Sequence, residues 1–277
     1  MNNINRLYSK EGLKQFWVGL MEGEGSFQVN HRLYKSLQLR LIIKLKYTKT
    51  NEKMLKEIAN VIEGSVRINK KVRKDKKPNE ISPMEFHYNG GVFAIEDGQV
   101  VEYKEVLWVM NDREKIYTTL QIFDKYPPLT SKAKCGLAFM RTFLIDPDVK
   151  KYLKTRYLKY EKQAEISTAA LQKEFIYPVY WGPWLAGFTE AEGCFSIRQN
   201  GSHSYSIAQK EDEAIIKAIK NFFHIETTAL YKNTMWSIES ANTETLRGIS
   251  MFFKKYPLLG EKAVSFNRFL YKKGFDD

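Results

Sequence analysis

Residues 16–27 read FWVGLMEGEGSF. An apolar run with glycines at 19 and 23 closes on two acids, Glu22 and Glu24. Residues 184–195 read WLAGFTEAEGCF, with apolar, small and acidic residues in the same order. An apolar helix has no need of a carboxylate at its end, yet this chain has one there twice. Gly19 and Gly23 stand four apart, on one helix face, and Gly187 and Ala191 match them. Small residues at that spacing let two helices approach closely. The apolar flanks place both runs in the interior, most simply against each other about a pseudo-twofold axis.

A second block repeats downstream: KYPPLTSKA at 125–133 and KYPLLGEKA at 255–263, each with a lysine (Lys132, Lys262) at the matching place. Two shared blocks in one order divide the chain into related halves, 10–145 and 181–277. Between them, 146–180 opens on DPD, a turn and N-cap signal, and continues for a long stretch without Gly or Pro. It reads as a helical linker. The first half is longer by about 38 residues between Glu24 and Tyr126 than the second between Glu192 and Tyr256. The excess falls within 70–112, where KKVRKDKKPNE, HYNGG and EDGQ are charged and Gly-punctuated.

Each half reads as αββαββα, an α+β pattern with an antiparallel sheet. In LQLRLIIKLKY (37–47), Leu37, Leu39, Leu41, Ile43 and Leu45 face one way. Gln38, Arg40, Lys44 and Lys46 face the other, with Ile42 the exception. In SVRINKKVR (65–73), Val66 and Ile68 alternate with Arg67, Asn69 and Lys71. One face is apolar; the other is basic and amide rather than mixed in sign. Such side chains read base edges and hold phosphates. The candidate readers are Gln28, Asn30, Arg32, Gln38, Arg40, Lys44 and Lys46, then Arg67, Asn69, Lys71 and Arg73. In the second half they are Ser196, Arg198, Asn200, Ser206 and Lys232. Two different sets imply a DNA target that is asymmetric in sequence. A ten-residue strand spans about 33 Å, about one turn of duplex, so the target is long.

The net charge of +12 calls for an acidic partner, nucleic acid before anionic membrane. No transmembrane span or secretory segment is legible. Cys135 and Cys194 form no CxxC pair, which argues against a disulfide scaffold or a zinc finger.

Gly25 and Gly193 read as C-cap glycines, placing Glu24 and Glu192 in the last turn of each helix. A carboxylate there opposes the helix dipole, at about 0.3–1 kcal/mol. Two such ends side by side call for a positive counterpart, and hard divalent cations bind carboxylate and carbonyl oxygens. Glu22 and Glu190 stand two residues earlier and point to another side, facing bases of the linker or sheet.

WVGLMEGEG (17–25) and LAGFTEAEG (185–193) resemble the LAGLIDADG motif, twice. The first departs from it at Trp17 and Val18. From about residue 10 to 275 the chain resembles the single-chain, two-repeat LAGLIDADG homing endonucleases, and the paired KYP blocks add to the match. The resemblance implies two pseudo-symmetric halves packed through the motif helices. Glu24 and Glu192, with the carbonyls of Gly23 and Ala191, would bind divalent metal at the scissile phosphates. Mg²⁺ is the expected ion, with Ca²⁺ or Mn²⁺ able to substitute in binding. Lys132 and Lys262 fall beside the active site, and Gln209 matches a polar residue that positions water, with Thr48 or Lys46 in its place in the first half. The activity implied is a double-strand cut leaving short 3′ overhangs, by a monomer, in a mitochondrial setting. The related role of RNA maturase, binding intron RNA, needs neither acid. A transcriptional regulator on the same scaffold also leaves the acids unexplained.

Overall fold

The computed structural model describes residues 7–74, 86–88 and 91–275. Helix α1 (Lys10–Gly23) begins where the Ser9 hydroxyl accepts from the Gly12 amide at 3.1 Å. From Phe16 to Gly23 it is buried on all sides, through Phe16, Trp17, Val18, Leu20 and Met21, while Lys10, Glu11, Lys14 and Gln15 keep its first turns partly exposed. Its counterpart α8 (Trp181–Glu192) starts with Pro183 in the first turn, where a missing N–H is tolerated. The two helices pack together at the centre of the molecule. A Cβ on Gly19 would stand 2.0 Å from the Trp184 carbonyl oxygen, and one on Gly187 1.9 Å from that of Phe16. The backbones touch there, as the paired small residues require.

From α1 the chain runs through β1 (Gly25–Arg32), β2 (Ser36–Lys46), α2 (Lys49–Ile62), β3 (Ser65–Val72), β4 (Phe86–Tyr88), β5 (Gly91–Glu96) and β6 (Gln99–Met110). It ends the half with α3 (Arg113–Leu120), α4 (Ile122–Lys125) and α5 (Ser131–Ile145). From α8 it runs through β7 (Gly193–Ile197), β8 (His203–Lys210), α9 (Glu213–Phe222), β9 (Leu230–Lys232), β10 (Met235–Ser240), α10 (Thr243–Lys255) and α11 (Glu261–Lys273). The expected αββαββα order holds in the second half, while in the first the β4–β5 hairpin is inserted between β3 and β6. The closing helical region of each half is broken at its KYP block, because proline cannot continue a helix. The connection between halves carries α6 (Val149–Thr155), a 3₁₀ turn (Arg156–Tyr160) and α7 (Gln163–Leu171).

Both sheets are antiparallel, and their orders correspond. The second is β7-β8-β10-β9. In the first, β1 pairs β2, β2 pairs β6, and β3 takes the other edge of β6. The extra length lies in longer partners of β9 and β10, namely β3 and β6. It also lies in the β4–β5 hairpin, which follows β6 beyond the end of β2. Residues 75–85 and 89–90, part of the charged 70–112 interval, lie outside the described residues. One apolar core runs through both halves and holds Trp17, Trp108, Trp184 and Tyr205 among its fully buried side chains. Among the described residues, no helix is long and apolar enough to cross a membrane.

Candidate active site and nucleic-acid interface

The C-termini of α1 and α8 meet. Glu24 caps α1 and Glu192 is the last residue of α8. The glycines that follow are not the left-handed caps expected from sequence. Gly193 is extended (φ −78, ψ 158), and Gly25 is not among the glycines with positive φ. Each instead starts a strand folded back on its own helix. A Cβ on Gly25 would lie 2.3 Å from the Met21 carbonyl oxygen, and one on Gly193 2.5 Å from Thr189 Cγ2. Close approach, not backbone handedness, demands glycine there.

Burial, then the charge of Glu24, push the Glu192 carboxyl up to about 7, while Lys132 and Lys262 pull it down. Burial also raises Glu24, against the same two lysines. Lys132 and Lys262 are the second residues of α5 and α11, and the Lys132 ammonium donates to the Gly23 carbonyl at 3.3 Å. Two acids, two lysines and the helix-end carbonyls of Gly23 and Ala191 thus gather at one place. The oxygens are hard donors that fit a divalent cation. Among the described residues, no three His, Cys, Asp or Glu cluster as a closed metal site. A cation held there would take its remaining ligands from outside the chain.

Glu22 and Glu190 do not face basic side chains as expected. Both are buried, at 1% and 4% exposure. Glu22 accepts from the amides of Leu129 (2.9 Å) and Thr130 (2.6 Å) and from the Trp184 indole (2.7 Å). Glu190 accepts from the amides of Leu259 (3.1 Å), Gly260 (3.0 Å) and Lys262 (2.9 Å). Each carboxylate faces the positive end of the helix that carries a site lysine. The signal was present in sequence as a matched pair; the partners, backbone amides but for the Trp184 indole, were not.

Strand register places the candidate readers. Gln28 opposes Arg40, Asn30 opposes Gln38, Arg32 opposes Ser36, and Ile42 shares their face. Lys44 and Arg67 flank Leu107, and Lys46 and Asn69 flank Glu105. Alternation along β3 carries Lys71, and Arg73 just past it, onto the same face. A register shift opposite Asn69/Lys70 reverses the alternation of β6, so Glu102 joins this face as well. In the second sheet, Cys194 opposes Ser206, Ser206 opposes Glu239, Ser196 opposes Ser204, and Lys232 opposes Met235. Arg198 follows β7, and Asn200 lies in the turn, where its side-chain oxygen accepts from Ser202.

The sign of these faces corrects the sequence reading. Acids stand among the readers: Glu105 holds Lys44 (2.6 Å) and Asn69 (3.2 Å), Glu102 lies 3.4 Å from Arg73, and Glu239 holds Arg198 (2.6 Å). They sit on strands, β6 and β10, whose facing could not be assigned before their register was known.

The family model described as LAGLIDADG endonuclease matches residues 17–81 and 185–272, one stretch in each half. The chain belongs to the LAGLIDADG endonuclease family. It is therefore an endonuclease. A protein of Dictyostelium citrinum named as a probable intron-encoded endonuclease aI3 is 36% identical over 265 residues, covering 95% of this chain and 96% of the relative. The fold is shared with the LAGLIDADG homing endonuclease I-GzeII solved in complex with its DNA target. That similarity has a TM-score of 0.63 at 17% identity, over 95% of this chain and 90% of that one. It is shared also with I-SmaMI bound to uncleaved DNA in the presence of calcium ions, at a TM-score of 0.59 and 18% identity, over 93% and 89%.

Gln209 is 2% exposed, and its side-chain nitrogen has no hydrogen-bond partner. It lies two residues past Ile207, the partner of Gly193. The partner of Gly25 is Ile43, so the matching position in the first half is Leu45, not Thr48 or Lys46. Thr48 caps α2, and Lys46 belongs to the reading face. The first hairpin is longer than the second, so equal counts from the two motif acids do not reach equivalent positions.

Proposed function

We propose that this endonuclease makes a metal-dependent double-strand cut in a long, asymmetric duplex DNA site and leaves short 3′ overhangs. The observation that carries the reading is the meeting of Glu24 and Glu192 between Lys132 and Lys262, flanked by two reading faces of different composition. The two acids, with the carbonyls of Gly23 and Ala191, would hold divalent cations, Mg²⁺ first. Such a cation lowers the pKa of bound water and neutralises charge on the leaving 3′ oxygen. Lys132 and Lys262 each set an ammonium beside a scissile phosphate, where negative charge grows. Gln209, whose amide nitrogen is unpartnered, orients water on one side of the site in this reading. Leu45 offers no such group, so the two strands are cut at unequal rates. A single chain suffices, because the twofold axis is internal. The intron-encoded relatives support a mitochondrial setting.

The test is cleavage of a randomised duplex library in Mg²⁺, with metal chelation and Glu24→Gln and Glu192→Gln as controls. Cuts at one long site, lost on chelation and in both variants, are expected. Tight holding of structured intron RNA with no duplex cut would transfer the function to a maturase.

A further inference from the structure

We propose that each site lysine is positioned by a side chain of the opposite half: Asp212 sets Lys132, and Asn51 sets Lys262. This rests on the reading of those lysines given above. Ser131 opens α5, and its amide donates to the Asp212 carboxylate. Glu22 already holds the two preceding amides, so three successive backbone groups are pinned just before Lys132. At α11 the Glu261 amide donates to Asn51 Oδ1 at 2.9 Å, between amides held by Glu190. Asn51 is itself fixed, donating to the Lys46 carbonyl at 3.0 Å. A Cβ on Gly260 would lie 2.5 Å from Asn51 Oδ1 and 2.6 Å from Glu190 Oε1, so the contact is close on all sides.

The two cross-braces come from matching helices, though from different positions on them. Asp212 precedes α9 and Asn51 lies in the first turn of α2, the matching helix. Asp212 stands at the N-cap of α9, and its carboxylate also reaches the first amide of a helix in the other half. Both residues are buried, at 2% and 6% exposure, and a polar group so placed persists only where it is well partnered. A lysine side chain is long and flexible, so the placement of its ammonium depends on where its root is held. A misplacement of about 1 Å at a reacting centre can lower a rate on the order of 100-fold.

The experiment measures single-turnover cutting of each labelled strand of the cognate duplex, alongside duplex affinity without cleavage. Lys132→Met and Lys262→Met identify which strand each lysine serves. Asp212→Ala is expected to slow the Lys132 strand by about tenfold or more, with the other strand and the affinity little changed. Asn51→Ala is expected to slow the Lys262 strand. Asp212→Asn keeps an oxygen for the Ser131 amide and should recover most of the rate, which also guards against a fold defect. In Lys132→Met the further change Asp212→Ala should add no loss on that strand. Equal slowing of both strands by Asp212→Ala, or none where Lys132→Met slows one, overturns the proposal. Lysine variants that slow neither strand overturn the lysine reading itself.

Discussion

Glu24 and Glu192 carry the chemistry through their position more than their type. Replacing either with Gln keeps the shape and removes the charge that a cation needs. Cutting is expected to fall by on the order of 100-fold or more in each variant, while gel-shift affinity for the cognate duplex is retained. A different acid reports on stability. Lys125, then Lys14 and Tyr126, hold the Glu11 carboxyl down at about 2. Its folded pKa is depressed, so its contribution is present above the unfolded carboxylate range and fades as pH falls toward 2. Exposure and screening keep that contribution below about 1 kcal/mol. Glu11→Gln should therefore lower the melting temperature slightly at neutral pH, less in high salt, and not at all near pH 2. The acids at the helix ends were legible from sequence because both copies share them. Glu22 and Glu190 were legible only as a pair, since backbone amides leave no mark in a sequence.

The two central helices make opposite demands on glycine from those of a surface helix. A methyl group on Gly19 would be driven into the Trp184 backbone, which cannot move without parting the helices. Gly19→Ala should destabilise the protein by about 3 kcal/mol or more, read by chemical denaturation. Gly248, within α10, has nothing within 4 Å of an added Cβ. Gly248→Ala should stabilise by about 0.5–1 kcal/mol. The difference between these residues is tertiary, although the four-residue spacing of Gly19 and Gly23 already hinted at it. Strands with clear alternation, β2 and β3, were legible in facing as well as extent. β6 was not, because its register shift reverses the alternation and turns Glu102 outward beside Glu105.

Across the whole molecule, the two reading faces differ in reach. The first carries long side chains, Arg40, Lys44, Lys46 and Arg67 among them, across six strands. The second carries fewer, Arg198 and Lys232, with Asn200 in the turn and the short Ser196, Ser206 and Ala208 between them, across four. Single base changes under the first sheet should therefore cost more, about 1–3 kcal/mol each, than changes under the second. Relative cleavage of a complete set of singly substituted targets measures this, and equal tolerance on both sides would falsify it. The twofold plan was readable from two repeated blocks; the division of labour needed the register of every strand. The contact between α1 and α8 also bears on protein engineering. Each helix presents a glycine hollow to the other's carbonyl, Gly19 to Trp184 and Gly187 to Phe16. A chimaera joining halves from two relatives therefore inherits a lock cut for one key. Such hybrids should fold only where both hollows and both facing backbones agree, whatever DNA their sheets were chosen to read.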